Sequence, residues 1–208
     1  MTPKPRRRRA ILIVVAIAAV AAVIAIATLS RGKSTQMFRG NRALPGQSLP
    51  PFTLRDSTGE VIRASDLRGK VLIVTFLDTH CTAACPIIAS QVGRALDLLT
   101  PPQRQDVRAI AFSVDPDGDT PASIRTFLRH HRVEGRLHYL VGTLQQMRPV
   151  WRSFKVLPSA QTHQHELHSA PVRLYNRSGV WVATQHVGAD LTPENLAHDL
   201  RLVLNDAT

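Results

Sequence analysis

Cysteine is scarce in this chain of 208 residues: there are two, Cys81 and Cys85, both inside "DTHCTAACP" at 78–86. A multi-disulfide framework is therefore excluded, and a chain of this length can bury a hydrophobic core without one. No second cysteine pair is present to close a four-ligand zinc site. There is no G-x-G-x-x-G and no phosphate loop, so nothing points to a nucleotide. Acidic residues are absent before Asp56, and this places the formal net charge of +11. Nine of the 26 Lys and Arg residues precede residue 43, which leaves 17 basic against 15 acidic residues in the remainder. The excess is a property of the tail, so the body offers no case for nucleic acid.

What the tail does contain is "AILIVVAIAAVAAVIAIATL", residues 10–29, with no charge and no proline. As a helix, 20 residues span roughly 30 Å, the thickness of a bilayer's hydrocarbon core. "KPRRRR" stands in front of it, and arginines hold their flank in the cytoplasm. The sequence predicts a basic cytoplasmic tail at 1–9, a transmembrane anchor at 10–30, a linker at 31–44 and an extracytoplasmic domain at 45–208. A buried core helix is disfavoured because no face of the run is polar. A cleaved signal peptide, with a small-x-small site at Ala25-Ile26-Ala27, is the rival; the length of the apolar run favours an uncleaved anchor. Outside the cytoplasm, thiols oxidise unless they are used or metallated.

The body alternates strand and helix signals. "PFTLRDSTGEVIRASDL" reads as a β-hairpin turning at Ser57-Thr58-Gly59. "KVLIVTFLD" and "VRAIAFSVD" are apolar, β-branched runs of the kind buried on both faces of a parallel sheet. Residues 86–99 place Ile88, Val92, Ala95, Leu96 and Leu99 at helical spacing. Thr120-Pro121 and Thr192-Pro193 read as helix caps followed by a first-turn proline. A helix at 143–154, which Pro149 is expected to kink, and a strand–turn–strand at 170–188 complete an α/β layered domain. Sites in such folds form beyond the carboxyl ends of strands, and the cysteines follow the 71–77 strand directly.

Pro86 sets Cys85 near a helix N-terminus, whose partial positive charge favours thiolate. Two readings stay open: a dithiol–disulfide pair, or two soft thiolates on a metal. The three-residue spacing gives a metal room between the sulfurs, and with few other soft groups Cu(I) matches best. A third ligand then comes from elsewhere. The densest histidine cluster is "THQHELHS", with His163, His165 and His168. His130, His131, His138 and His198 are read as solvated, and His80 as pointing away from the pair. Asp115, Asp117 and Asp119 lack the pattern of an EF-hand and read as a turn leading into a helix.

"FLDTHCTAACP" resembles the F-x-x-T-H-C-x-x-x-C-P signature of the Sco/SenC family. "SVDPDGDT" is similar to that family's S-x-D-P-x-x-D-T, and "HSAPVRLYNRSG" to its segment with a histidine ahead of a strand and turn. The resemblance covers about residues 45–205. It implies a thioredoxin-like fold, with a central mixed sheet flanked by helices and an N-terminal hairpin. It implies copper held by Cys81, Cys85 and His168, and a role in assembling the binuclear copper centre on cytochrome c oxidase subunit II. Copper delivery, reduction of the target's cysteines, or both are implied. The alternative to this reading is an extracytoplasmic thiol–disulfide oxidoreductase acting on exported proteins, with Cys81 as the exposed nucleophile and Cys85 as the resolving thiol. The sequence departs from the pattern in three ways. Leu167 stands where an aspartate is usual before the histidine, Thr82-Ala83-Ala84 carries no acid between the cysteines, and His163 and His165 are additional, offering an alternative third ligand.

Overall fold

Seven consecutive residues after Lys70 are buried, and they form the strand around which the domain is organised. The structure, a computed structural model, describes residues 37–206; the expected anchor at 10–30 lies outside the described residues. No helix among the described residues is long and apolar enough to cross a membrane. The strands are β1 (Asn41–Arg42), β2 (Thr53–Asp56), β3 (Val61–Arg63), β4 (Val71–Leu77), β5 (Val107–Ser113), β6 (Leu137–Val141), β7 (Val172–Tyr175) and β8 (Trp181–Gln185). The helices are α1 (Ala84–Asp97), α2 (Pro101–Gln105), α3 (Pro121–His130), α4 (Leu144–Phe154), α5 (Ser159–Thr162) and α6 (Pro193–Asn205).

Among the described residues the strands form one sheet in the order β1-β8-β7-β4-β5-β6-β2-β3. β4, β5 and β6 run parallel, as the continuous apolar runs of β4 and β5 predict for those two. β7 and β8 join the other side of β4 antiparallel, and β2 closes on β6.

Alternation along β4 divides the core in two. Val71, Ile73 and Leu77 belong to one cluster, with Ile88 and Val92 of α1, Ile124 of α3 and Leu200 of α6. Leu72, Val74 and Phe76 belong to the other, with Phe52, Phe112 and the α4 residues Met147, Trp151 and Phe154. Each large side chain so buried stabilises the fold by about 1.5–3 kcal/mol. Thr120 and Thr192 cap α3 and α6 as expected, accepting from the N–H groups of Ser123 and Asn195. α4 runs through Pro149 without a break.

The stretch expected as a linker enters the fold before residue 45. β1 pairs antiparallel with β8, and the N–H groups of Arg39 and Gly40 donate to the buried Asp199 carboxylate at 2.7 and 2.9 Å. Backbone pairing of this kind needs no apolar pattern, which is why the segment reads as a tether in sequence.

Candidate metal centre

β4 ends at Leu77, and a tight turn through Asp78–Thr82 delivers the chain to α1, with Cys85 as the second helical residue. This places both sulfurs at the carboxyl end of the central strand, with backbone N–H groups aimed at them. Asp78 N–H donates to Cys85 Sγ at 3.4 Å, and Cys85 N–H to Cys81 Sγ at 3.5 Å. Both thiols are free and buried: Cys81 is 3% exposed and Cys85 0%.

His168 arrives from the far end of the sequence on the 157–169 loop. Ser169 N–H donates to the Leu157 carbonyl at 2.8 Å, and Leu157 N–H to Ser169 Oγ at 3.0 Å, which closes the base of that loop. Inside it, α5 stops at His163 in a left-handed conformation, and Thr162 Oγ1 donates to the Leu167 carbonyl at 2.9 Å. The fold-back brings His168 Nε2 to 3.3 Å from Cys85 Sγ. One donor atom each from Cys81, Cys85 and His168 lies within 4.8 Å of the others, so the three could hold a metal ion. The opposite ring nitrogen, Nδ1, is 3.2 Å from the Ser169 carbonyl, where it donates. That bond fixes the tautomer and leaves the Nε2 lone pair toward the sulfurs. A backbone carbonyl thus takes the orienting role of the carboxylate missing at Leu167.

Glu166, two residues before the histidine, is a part of the site that no sequence pattern marks. Its carboxylate accepts from Thr82 N–H at 2.6 Å, Thr82 Oγ1 at 2.8 Å and Ala83 N–H at 3.2 Å. Ala83 is the N-cap of α1 and supplies no capping side chain of its own, so Glu166 caps that helix from 83 residues away. Its pKa is held down to about 2 by those bonds, with Thr82 N–H contributing most. Glu166 Oε2 also lies 3.2 Å from Cys81 Sγ. Cys81 is accordingly covered, not the exposed nucleophile expected: a polar lid, packed for its hydrogen bonds, hides the thiol.

The two thiols divide sharply. A hydrogen bond from the Cys85 thiol, joined by His168, draws Cys81 down to about 5, against the opposing effect of burial and Glu166. Cys85 is pushed far up because it holds the proton the pair shares and is buried. Burial alone would lower His168, but the Cys81 thiolate and the Ser169 carbonyl outweigh it and raise the imidazole. The metal-free site is thus one thiolate, one thiol and one imidazole.

The remaining histidines go elsewhere. His165 Nδ1 is 2.8 Å from Asp78 Oδ2 and is not in the Cys81–Cys85–His168 set, so it is not an alternative third ligand there. His163 caps α5 and is exposed. His80 lies with Asp78, Asp115 and His165, away from the sulfur set as expected. His138, expected to be solvated, is 3.2 Å from the buried carboxylate of Asp56. Asp119 is buried and accepts from Thr79 N–H, Ser113 Oγ and Tyr139 Oη at 2.8, 2.6 and 2.7 Å, which ties the cysteine turn to β5 and β6.

Residues 41–205 match the SCO1/SenC family. The SCO2-like protein of Rickettsia felis is 28% identical over 105 residues, 50% of either chain, so this chain spans about half the length of that curated relative. The structure of Bradyrhizobium japonicum ScoI, described with copper bound, is 29% identical with a TM-score of 0.63, covering 76% of this chain and 99% of that one. BsSco, described as having a disulfide switch and as a member of the Sco family of cytochrome c oxidase assembly proteins, superposes with a TM-score of 0.64 at 23% identity, covering 78% of this chain and 96% of that one. The mixed sheet with flanking helices is the one these thioredoxin-like structures share. With a family match that runs from β1 to the end of α6 and includes the cysteine turn and the histidine loop, the chain belongs to the SCO1/SenC family.

Proposed function

We propose that the protein is a copper metallochaperone, anchored in the membrane by residues 10–30 with its domain on the extracytoplasmic side. In this reading it takes Cu(I) on Cys81, Cys85 and His168 and helps assemble the binuclear copper centre of cytochrome c oxidase subunit II. One observation carries the reading: two sulfurs from one turn and an imidazole 83 residues further on meet within 4.8 Å. The donor set is soft, both sulfurs are buried, and the tautomer is the one a metal needs. Copper bound in the Bradyrhizobium relative and the oxidase-assembly role stated for BsSco support the choice of ion and partner. Two thiolates and Cu(I) carry a net charge of −1, which the α1 N-terminus and its N–H donors offset. Loading expels the proton on Cys85, so affinity falls as pH falls.

The test is titration of the reduced full chain with Cu(I) against a competing chelator. One equivalent is expected, lost in Cys81→Ser and Cys85→Ser and weakened at least tenfold in His168→Ala. Unchanged affinity in His168→Ala removes the third-ligand claim.

A second reading, thiol–disulfide exchange on exported proteins, is favoured by the unequal thiols. A ready thiolate beside a protonated partner suits attack followed by resolution. Disulfide reduction that persists in His168→Ala and under copper chelation selects this reading over metal carriage.

A further inference from the structure

The turn that carries the cysteines also carries a second set of donors. Asp78, His80, Asp115 and His165 each bring one atom within 4.8 Å of the others, and none belongs to the sulfur set. His165 Nδ1 is 2.8 Å from Asp78 Oδ2 and 3.8 Å from Asp115 Oδ2, and His80 Nδ1 is 3.6 Å from Asp78 Oδ1. The two imidazole centroids are 5.2 Å apart. Four ligands at tetrahedral positions on an ion with bonds of 2.0–2.2 Å sit about 3.3–3.6 Å from one another. The His165–Asp115 separation matches within a few tenths of an ångström and the His165–Asp78 Oδ2 separation opens by less than an ångström, while His80 meets the other oxygen of Asp78.

Two independent features mark this as a built site. The first is burial: Asp78 is 0% exposed, its carboxylate accepts from His80 N–H and Ser159 Oγ, both at 2.8 Å, and its ion-pair partners among the described residues are imidazoles, with no Lys or Arg. A buried carboxylate is stabilised by a nearby cation, and a divalent ion between two carboxylates and two imidazoles would supply one. The second is space. A Cβ on Gly118 would clash with Asp115 Oδ2 and stand 3.1 Å from His80 Nδ1, so glycine leaves these two donors room to converge there.

We propose that Asp78, His80, Asp115 and His165 form a second metal site, for a divalent first-row ion that prefers imidazole and carboxylate, Zn(II) or Cu(II). It is harder than the thiolate site and discriminates against Cu(I). Both sites grow from one turn: Asp78 offers its carboxylate to the new site while its N–H donates to Cys85 Sγ. The inference goes beyond copper carriage by the cysteines and does not depend on it.

The test uses the full chain with Cys81→Ser and Cys85→Ser, which deletes the soft donors. It is equilibrated with Zn(II), desalted and analysed for metal; Cu(II) is added separately for electron paramagnetic resonance. One retained equivalent is expected, with a Cu(II) signal showing nitrogen and oxygen ligation. On this background His80→Ala and His165→Ala each weaken binding at least tenfold, and His163→Ala leaves it unchanged. All three positions are exposed or at the surface turn, and circular dichroism confirms the fold. Should the double serine chain retain no ion, wild-type chain pre-loaded with Cu(I) is given Zn(II); absence of an additional equivalent there as well overturns the site. Binding that survives the combined His80→Ala and His165→Ala change, or that is lost with His163→Ala alone, overturns it too.

Discussion

Replacing Cys85 by alanine should move the titration of Cys81 upward by several pH units. In the reduced, metal-free chain Cys81 titrates at about 5, chiefly because the Cys85 thiol donates to its sulfur. An ordinary thiol titrates at about 8.5 and is about 3% thiolate at pH 7, whereas Cys81 is about 99% thiolate, a gain of about thirtyfold. Nucleophilicity falls with basicity at a slope of about 0.4–0.5, and across a gap of about 3.5 that forfeits about 25- to 55-fold. The two effects cancel, so a single alkylation rate at pH 7 does not report the perturbation. The pH profile does. With iodoacetamide, whose limited access to the covered Cys81 scales the rate alike at each pH, and Cys81 identified by peptide mass, the wild-type rate should be flat from pH 8 to 6 and halve near pH 5. The rate in Cys85→Ala should fall about tenfold for each unit over the same range, as for an unassisted thiol. A wild-type midpoint above about 7.5, or one unmoved in Cys85→Ala, refutes the shared-proton account. The same depression makes Cys81 a source of stability that is complete above about 8.5 and lost as pH falls through about 5.

Glu166→Gln should move the Cys81 midpoint the opposite way, downward, since it removes a negative charge 3.2 Å from the sulfur; ultraviolet thiolate absorbance reads the direction. Asp199→Ala strands the N–H groups of Arg39 and Gly40 and the Gln185 amide that donates to it at 2.7 Å. A loss of about 2–3 kcal/mol by urea unfolding is expected, with faster amide exchange at residues 39–42. Gly93→Ala sets a helix propensity gain of about 1 kcal/mol against a Cβ only 2.8 Å from Cγ1 of the fully buried Val133. Overpacking of about 1–3 kcal/mol is expected to win, so thermal unfolding should show a lower Tm.

The sequence by itself determined the layered domain and the carboxyl-end location of the thiols. Buried runs such as 71–77 and 107–113 can satisfy their backbone and side chains only as inner strands, and Thr-Pro pairs such as Thr120-Pro121 start helices wherever they fall. His168 was legible through its place before β7 in a family pattern, not from any physical signal of its own. The tertiary structure alone decided that Glu166 caps α1, that the Ser169 carbonyl orients the imidazole, that His165 joins Asp78 and not the sulfurs, and that Asn41–Arg42 enters the sheet. These are polar contacts between residues distant in sequence. They leave no periodicity, and they exist only because the 157–169 loop closes on itself at Leu157 and Ser169 and lies across the end of β4.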